Sequence, residues 1–317
     1  MAIVRFIVRR LLAMLVLLFV ISFLVFSLLY LAPGSAIDVL LKNVPRNPET
    51  VAALTAKYHL DEPFITQYWI WLQGALRLDF GESIQTTLPV TGEILARLPV
   101  TVFLAIYAFA IEMAIGLGVG VLAALRQRSV ADRGLVALTV VGLSTPAFVS
   151  GVFLLYVFSV ALGWFPAFGA GEGFLDRLWH LTLPAFSLAI VGSAFVVKHV
   201  RAAVLAVLDQ DYVTFARARG ISRSKVLFQY VLRNAMIPIL GVSAMVLAFL
   251  LIGAVFIEVT FSINGMGSLV VKAANSQDLP MIQGVAIFIA LIVMGFNLLA
   301  DLAYLAADPR VRNRTLA

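Results

Sequence analysis

Six stretches of nearly unbroken apolar residues, at about 11–31, 99–125, 134–161, 180–198, 236–258 and 281–305, alternate with polar intervals along the chain. A helix needs about 20 mostly apolar residues to cross about 30 Å of hydrocarbon, and each stretch approaches or exceeds that length. The pattern therefore predicts an all-α membrane protein with six transmembrane helices. The first stretch follows Arg5, Arg9 and Arg10 like a secretory signal, but its apolar run outlasts the ~7–15 residues of a signal core and reads as a retained helix. In the third stretch Ser144, Thr145 and Pro146 interrupt the pattern, and a proline that removes a backbone donor predicts a kink there.

Two polar intervals are too long to be plain connections. The interval 32–98 predicts a folded extracytoplasmic segment. Asn47-Pro48-Glu49 has the N-cap, first-turn proline and early acid of a helix start. A second helix is predicted from Pro63 through Leu76, where Tyr68, Trp69 and Trp71 suit either the membrane interface or a docking surface for an external partner. The second long interval contains DYVTFARARGISRSKVLFQYVLRNAMIP, Asp211 to Pro238. Gly220 divides it, Ser222 is placed to cap the next helix, and two short helices meeting at an angle are expected. The organisation expected from these breaks is a tail and first span over 1–31, an outer domain over 32–98, a core over 99–305 that includes a coupling loop at 199–235, and a tail over 306–317.

Composition agrees with this pattern: 62% of the 317 residues are hydrophobic and 13% charged. The formal charge of +6 does not call for nucleic acid, because most Lys and Arg fall in alternate intervals, as cytoplasmic loops require. With the N-terminus in the cytoplasm, Arg126, Arg128, Arg133, the basic run from Lys198 to Arg233, and Arg310, Arg312 and Arg314 lie inside, leaving Arg177 and Lys272 in short outer loops. There is no cysteine, which excludes thiol catalysis and thiolate metal sites.

Candidate chemistry is sparse. No Gly-Lys pair occurs, so the phosphate-cradling GxxxxGK[ST] loop is missing and no cofactor is expected in this chain. Gly116-Leu-Gly-Val-Gly120 lies inside an apolar stretch without strand-turn-helix context, so the Gly116/Gly120 pair reads as close helix packing. His59, His180 and His199 lack metal-site spacing, and GxSxG is missing. Among the acids only Glu112 falls at mid-membrane depth, which makes it the candidate pathway residue or a carboxyl tying two helices together. Glu258, at the outer end of the fifth stretch, reads as a pathway mouth or a solvated helix end.

The basic interval carries more. Asp211, Tyr212, Ala216, Arg217, Ala218, Gly220, Leu232, Arg233, Asn234, Ala235 and Pro238 resemble the coupling loop of binding-protein-dependent ATP-binding-cassette permeases of the dipeptide, oligopeptide and nickel group. Leu60–Leu72, LDFGES at Leu78–Ser83 and Pro89–Thr101 resemble the family's first-loop pattern. Glu258, Phe261, Ser262, Gly265, Gly267, Asp278, Pro280 and Gly284, then Tyr304, Asp308, Pro309 and Arg310, resemble its later pattern in spacing. Of the family's Glu-Ala-Ala pattern only the last residue is matched, at Ala216 after Thr214 and Phe215, and Asn264 stands where proline is frequent.

The resemblance implies a multi-pass subunit of a bacterial or archaeal inner membrane with both termini cytoplasmic. Its expected partners are membrane lipid, a second related permease, two ATPases that hold the ATP and magnesium, and an external substrate-binding protein. Short peptides are the implied cargo, with nickel or another small solute as the alternative within the family. Ala216, Arg217, Ala218, Arg219, Gly220 and Ser222 would contact the ATPases, and Glu112 and Glu258 would lie on the pathway. An ion-coupled secondary transporter would instead carry several intramembrane acids and internal repeats, and a receptor or scaffold would not transport at all.

Overall fold

The computed structural model describes residues 2–31 and 47–307. The start of the outer segment, the Asp308-Pro309-Arg310 motif and the basic residues of the C-terminal tail lie outside the described residues. Within them the chain is helical, and the sole pairing of extended residues described is an isolated bridge between Glu82 and Pro89. The helices are α1 (Ala2–Leu31), α2 (Pro48–Tyr58), α3 (Phe64–Leu76), α4 (Val90–Leu125), α5 (Val130–Ser144) and α6 (Ala147–Leu154), the last continuing as wide π turns over Leu155–Ala161. They are followed by α7 (Gly173–Leu208), α8 (Asp211–Ala218), α9 (Arg223–Thr260), α10 (Met266–Ser276) and α11 (Leu279–Ala307). Five of them, α1, α4, α7, α9 and α11, are continuous, long and apolar enough to cross a membrane.

The expected third span is not one kinked helix. Thr145 is extended at φ −99°, ψ 119°, and the chain restarts as α6 after Pro146. A proline ring disfavours the helical region for the residue before it, and proline has no N–H to bond back with; here the helix breaks completely, whereas Pro99, Pro184 and Pro238 are carried inside α4, α7 and α9. The Thr145 hydroxyl donates to the Val141 carbonyl at 2.9 Å, satisfying an acceptor that the break leaves free.

The described chain divides into two compact units, one comprising Met1–Phe6, Val100–Ile263 and Gly295–Ala317, the other Ile7–Pro99 and Asn264–Met294. In the first, helix direction follows from the contacts. Glu112, Gly116 and Gly120 on α4 meet Gly192, Val196 and Val200 on α7, and both sets advance four residues at a time, so α4 and α7 run parallel. Against α7, Asp132 pairs with Arg201, Gly142 faces Ala194, and Ser150 faces Ser187, so α5 and α6 together run antiparallel to it. The broken segment therefore traverses the unit between two parallel helices, as a crossing span must.

The Gly116/Gly120 pair makes this packing possible. A Cβ on Gly120 would stand 2.7 Å from Val200 Cβ, and one on Gly116 would overlap the Val196 side chain. In lipid there is little hydrophobic gain from bringing helices together, so this close contact of small residues with β-branched ones carries the association.

The second unit shows that the outer segment is not a domain by itself. Ser83 Oγ donates to Asp278 Oδ2 at 2.5 Å, and Asp278 Oδ1 accepts from the Met281 N–H at the start of α11. Gly284 on α11 lets Val90 and Ile94 approach, and α10, which the hydrophobic pattern did not suggest, buries Met266 and Leu269 beside them. The expected helix starts are present: Asn47 Oδ1 accepts from the Thr50 N–H at 2.6 Å, and α3 begins just after Pro63. Phe26 on α1 packs against Phe64 and Trp71 of α3 with ring centroids 5.5 and 5.6 Å apart.

Gly120→Leu is expected to destabilise the α4–α7 contact by ~1–3 kcal/mol through overpacking. Gly118→Leu is expected to be neutral, because a Cβ there meets nothing within 4 Å. Thermal unfolding of the two variants in detergent tests the assignment, and equal midpoints would count against it.

Candidate functional site

The basic interval forms an elbow whose bend is built by a helix cap. At the end of α8 the Gly220 N–H donates to the Arg217 carbonyl at 2.9 Å and the Ile221 N–H to the Ala216 carbonyl at 3.2 Å. This pair of bonds needs a left-handed residue between them, and Gly220 supplies it at φ +75°. Ile221 then tucks against the core of the first unit.

Two expectations fail locally. Ser222 makes no side-chain cap bond, and the segment after it is not a second short helix, because Arg223–Lys225 runs through wide π turns at Val226–Leu232 straight into the fifth span. Helix α7 likewise continues to Leu208, so the interval taken as 199–235 is non-helical only around residues 209–210 and 219–222.

The elbow has two faces. Val213, Ala216, Val226 and Val231 are buried in the core, while Tyr212, Phe215, Arg217, Arg219, Arg223 and Lys225 are exposed. Of the six residues expected to meet an ATPase, Arg217, Ala218, Arg219, Gly220 and Ser222 are open to solvent, whereas Ala216 is 4% exposed and holds the elbow to the bundle. Phe215 and Phe228, 69% and 66% exposed, are absent from the sequence-based set; their signal was an aromatic ring on the outward face of a basic helix. A cleft of about 810 Å³ lies at the bend, lined by Leu125, Arg217, Ile221, Ser222, Arg223 and Leu227 among others.

The two candidate acids lie apart. Glu112 is 1% exposed, its carboxyl fills the space left by Gly192, and neither oxygen has a hydrogen-bond partner among the described residues. Glu258 is fully buried and accepts from the Thr101 hydroxyl at 2.5 Å. It is therefore not a solvated helix end. The α4 residues that meet these acids or carry them, Thr101 and Glu112, are separated by about 16 Å of helix rise. The histidines are also dispersed: His180 Nδ1 lies 3.2 Å from Asp176 Oδ1, and His199 Nδ1 lies 2.9 Å from the Phe195 carbonyl of its own helix.

A further ionic contact links the elements nearest the elbow. Arg201 of α7 donates Nε to Asp132 Oδ1 at 2.8 Å and NH2 to Oδ2 at 2.7 Å. Asp132 Oδ2 also accepts from the Arg128 N–H at 3.0 Å, and Ser129 caps α5 through the Asp132 N–H. The Arg201 guanidinium first, and then the Arg128 N–H, hold the Asp132 carboxyl below the usual carboxylate range. The turn between α4 and α5 is thus fastened to α7, whose next turn leads into the elbow.

Comparison with known proteins decides the class. Residues 116–313 match the family model "Binding-protein-dependent transport system inner membrane component", and residues 3–105 match the corresponding N-terminal model. The chain belongs to this family. It is a transport subunit of an inner membrane rather than an enzyme, and permeases of this kind work with a substrate-binding protein and an ATPase.

A putative peptide transport system permease protein of Brucella abortus (strain 2308) is 38% identical over 297 residues, covering 92% of this permease and 94% of that protein. The glutathione transport system permease protein of Shigella flexneri serotype 5b (strain 8401) is 33% identical, with 97% and 99% covered. An inward-facing structure of the methionine transporter MetNI matches with a TM-score of 0.56 at 15% identity, over 68% of this chain and 96% of that one, which supports the fold alone.

Asp132→Arg is expected to lower the thermal midpoint by several degrees, because it sets two cations against each other at the α5–α7 contact. Combining it with Arg201→Asp should recover most of that loss. A double variant no more stable than the single one would show that the pair carries no coupling energy. The sign for pH follows from the depressed carboxyl: the contribution is full at neutral pH and is lost as pH falls through the carboxylate range.

Proposed function

We propose that this permease forms half of the transmembrane pathway of an importer for short peptides, paired with a second related permease. Both termini face the cytoplasm, two cytoplasmic ATPases bind ATP and magnesium, and an external binding protein delivers the cargo. The relatives named for peptide and glutathione transport support the cargo class. The distribution of Lys and Arg supports the orientation.

The observation that carries the coupling role is the elbow itself. Its bend is capped, its inner face is locked into the core by Val213 and Ala216, and its outer face offers Phe215 and a set of arginines. A rigid knob with an aromatic tip suits a groove on another protein, whereas a segment that served only to anchor on lipid charge would need no capped bend. Closure of the ATPase dimer would displace the knob, and α9, continuous with it through the π turns, would carry the displacement into the membrane. ATP shifts the inward–outward equilibrium only as far as the elbow's contacts differ between the two states. Glu112, between α4 and α7, is proposed to open toward the pathway when those helices separate, and Glu258 to brace α9 against Thr101.

Gly220→Val forces a β-branched residue toward φ +75° and should open the bend. The protein should still insert, while recovery of ATPase subunits and substrate-stimulated uptake fall at least about tenfold, equivalent to ~1.4 kcal/mol. Normal coupled hydrolysis in this variant would refute the lever. Glu112→Gln should reduce uptake while leaving assembly intact, and unchanged transport kinetics would return Glu112 to a packing role.

A further inference from the structure

The second unit contains a cavity of about 300 Å³ that neither the elbow nor the pathway acids use. Its walls come from α1, the end of α2, α3, the loop after α3 and α11, and include Phe26, Trp71 and Phe80. Phe26 and Phe80 are each 4% exposed, and Trp71 lies between them with its ring centroid 5.6 Å from Phe26 and 6.3 Å from Phe80. Gly74 keeps the α3 wall free of side chain, because a Cβ there would stand 2.9 Å from the Asp79 carbonyl oxygen. Exposed Lys57, His59 and Asp79 lie at the rim.

The amide of Gln283, whose residue is 5% exposed, and the hydroxyl of Tyr58 have no protein hydrogen-bond partner among the described residues and stay accessible, whereas the indole N–H of Trp71 is unpaired and sealed within the wall. Gln67, in the same wall, shows the contrast: its amide accepts from the Tyr30 hydroxyl and donates to the Glu62 carbonyl. The Gln283 amide is therefore the polar group in this wall that a guest can reach and pair with. Apolar walls with a few convergent polar groups are the general form of a small-ligand site, and this volume is at the small end of that range.

The polar set selects the chemistry. Gln283 can donate and accept together, as a peptide bond requires. The aromatic walls suit an apolar side chain. An anion is disfavoured, because Lys57 is already neutralised by Glu82 at 2.8 Å and Asp79 stands at the rim. A lipid acyl chain would fill the walls but displace water from the Gln283 amide without replacing its hydrogen bonds.

We infer that this cavity binds one residue of a peptide, its apolar side chain against Phe26, Trp71 and Phe80 and its backbone amide on Gln283. The peptide is either free or a protruding segment of the external binding protein. The site does not depend on what the permease transports.

The test is ligand-observed fluorine NMR on the full transporter in lipid nanodiscs, without ATP. The probe is N-acetyl-4-fluorophenylalanine methylamide, with 4-fluorophenylacetate and a fluorinated fatty acid as comparators. The amide probe should bind saturably. Gln283→Leu, which keeps the volume and removes the amide, should weaken it about tenfold or more, and Ile70→Trp, which fills the cavity, should abolish it. Matching unfolding midpoints establish that both variants fold.

Saturable binding that is equal in all three proteins, equal binding of the anion or the fatty acid, or a cavity occupied by water alone with no saturable binding would each overturn the inference. If the purified binding protein, free of cargo, displaces the probe, the natural guest is a segment of that protein. Displacement by short peptides alone assigns it to free peptide. Because no transport is measured, a failure here leaves the import reading untouched, and an importer of some other solute would still show the site.

Discussion

The architecture of the first unit depends on how closely α4 and α7 approach. Gly116 and Gly120 lie against Val196 and Val200, and Glu112 lies against Gly192, so backbone meets side chain over more than two turns on one face. In a solvent as apolar as the helices themselves, such contact replaces the hydrophobic driving force of a soluble core. It also sets direction, because a matched advance on both helices makes them parallel. With these two parallel, the intervening chain must cross the unit in between, and α9, whose Glu258 reaches Thr101, packs alongside.

Much of this was legible where the signal is local. Asn47 with Pro48 announces a helix start, Gly220 a helix end, and the Gly116/Gly120 spacing a close contact, because each depends on a backbone angle or a missing Cβ that neighbouring residues determine. The reading failed where the outcome depends on distant partners. Asp132 and Arg201 are 69 residues apart and carry no shared motif. Glu258 looked like a solvated end because a sequence does not reveal Thr101 across the interface. The outer segment looked self-contained because nothing near Ser83 points to Asp278. The sequence marks the elbow but not the continuity of its second half with α9, since composition does not distinguish a new helix from the first turns of a long one.

The elbow divides labour between residue types. Small and branched residues, Ala216 and Val213, face inward and fix its position, while long or aromatic ones face outward and offer contact. Ala216, the one residue that matches the general family pattern, is of the first kind. A small side chain there allows α8 to lie flat on the bundle, so a shared residue in a contact motif can serve the support rather than the contact.

The break at Thr145–Pro146 has a mechanical consequence. An unbroken helix in lipid is a stiff rod, since any bend must strip hydrogen bonds that no water replaces. Here the rod arrives already cut into two pieces with different moorings. Helix α5 is tied by Asp132 to the Arg201 end of α7, whereas α6 lies between Ser187 of α7 and Ile257 and Phe261 of α9. Were α7 and α9 to shift relative to one another, the seam between the two pieces would absorb the mismatch as rotation about a few backbone bonds. The break thus places a joint where α5 and α6 can change angle without breaking the hydrogen-bond ladder of either helix.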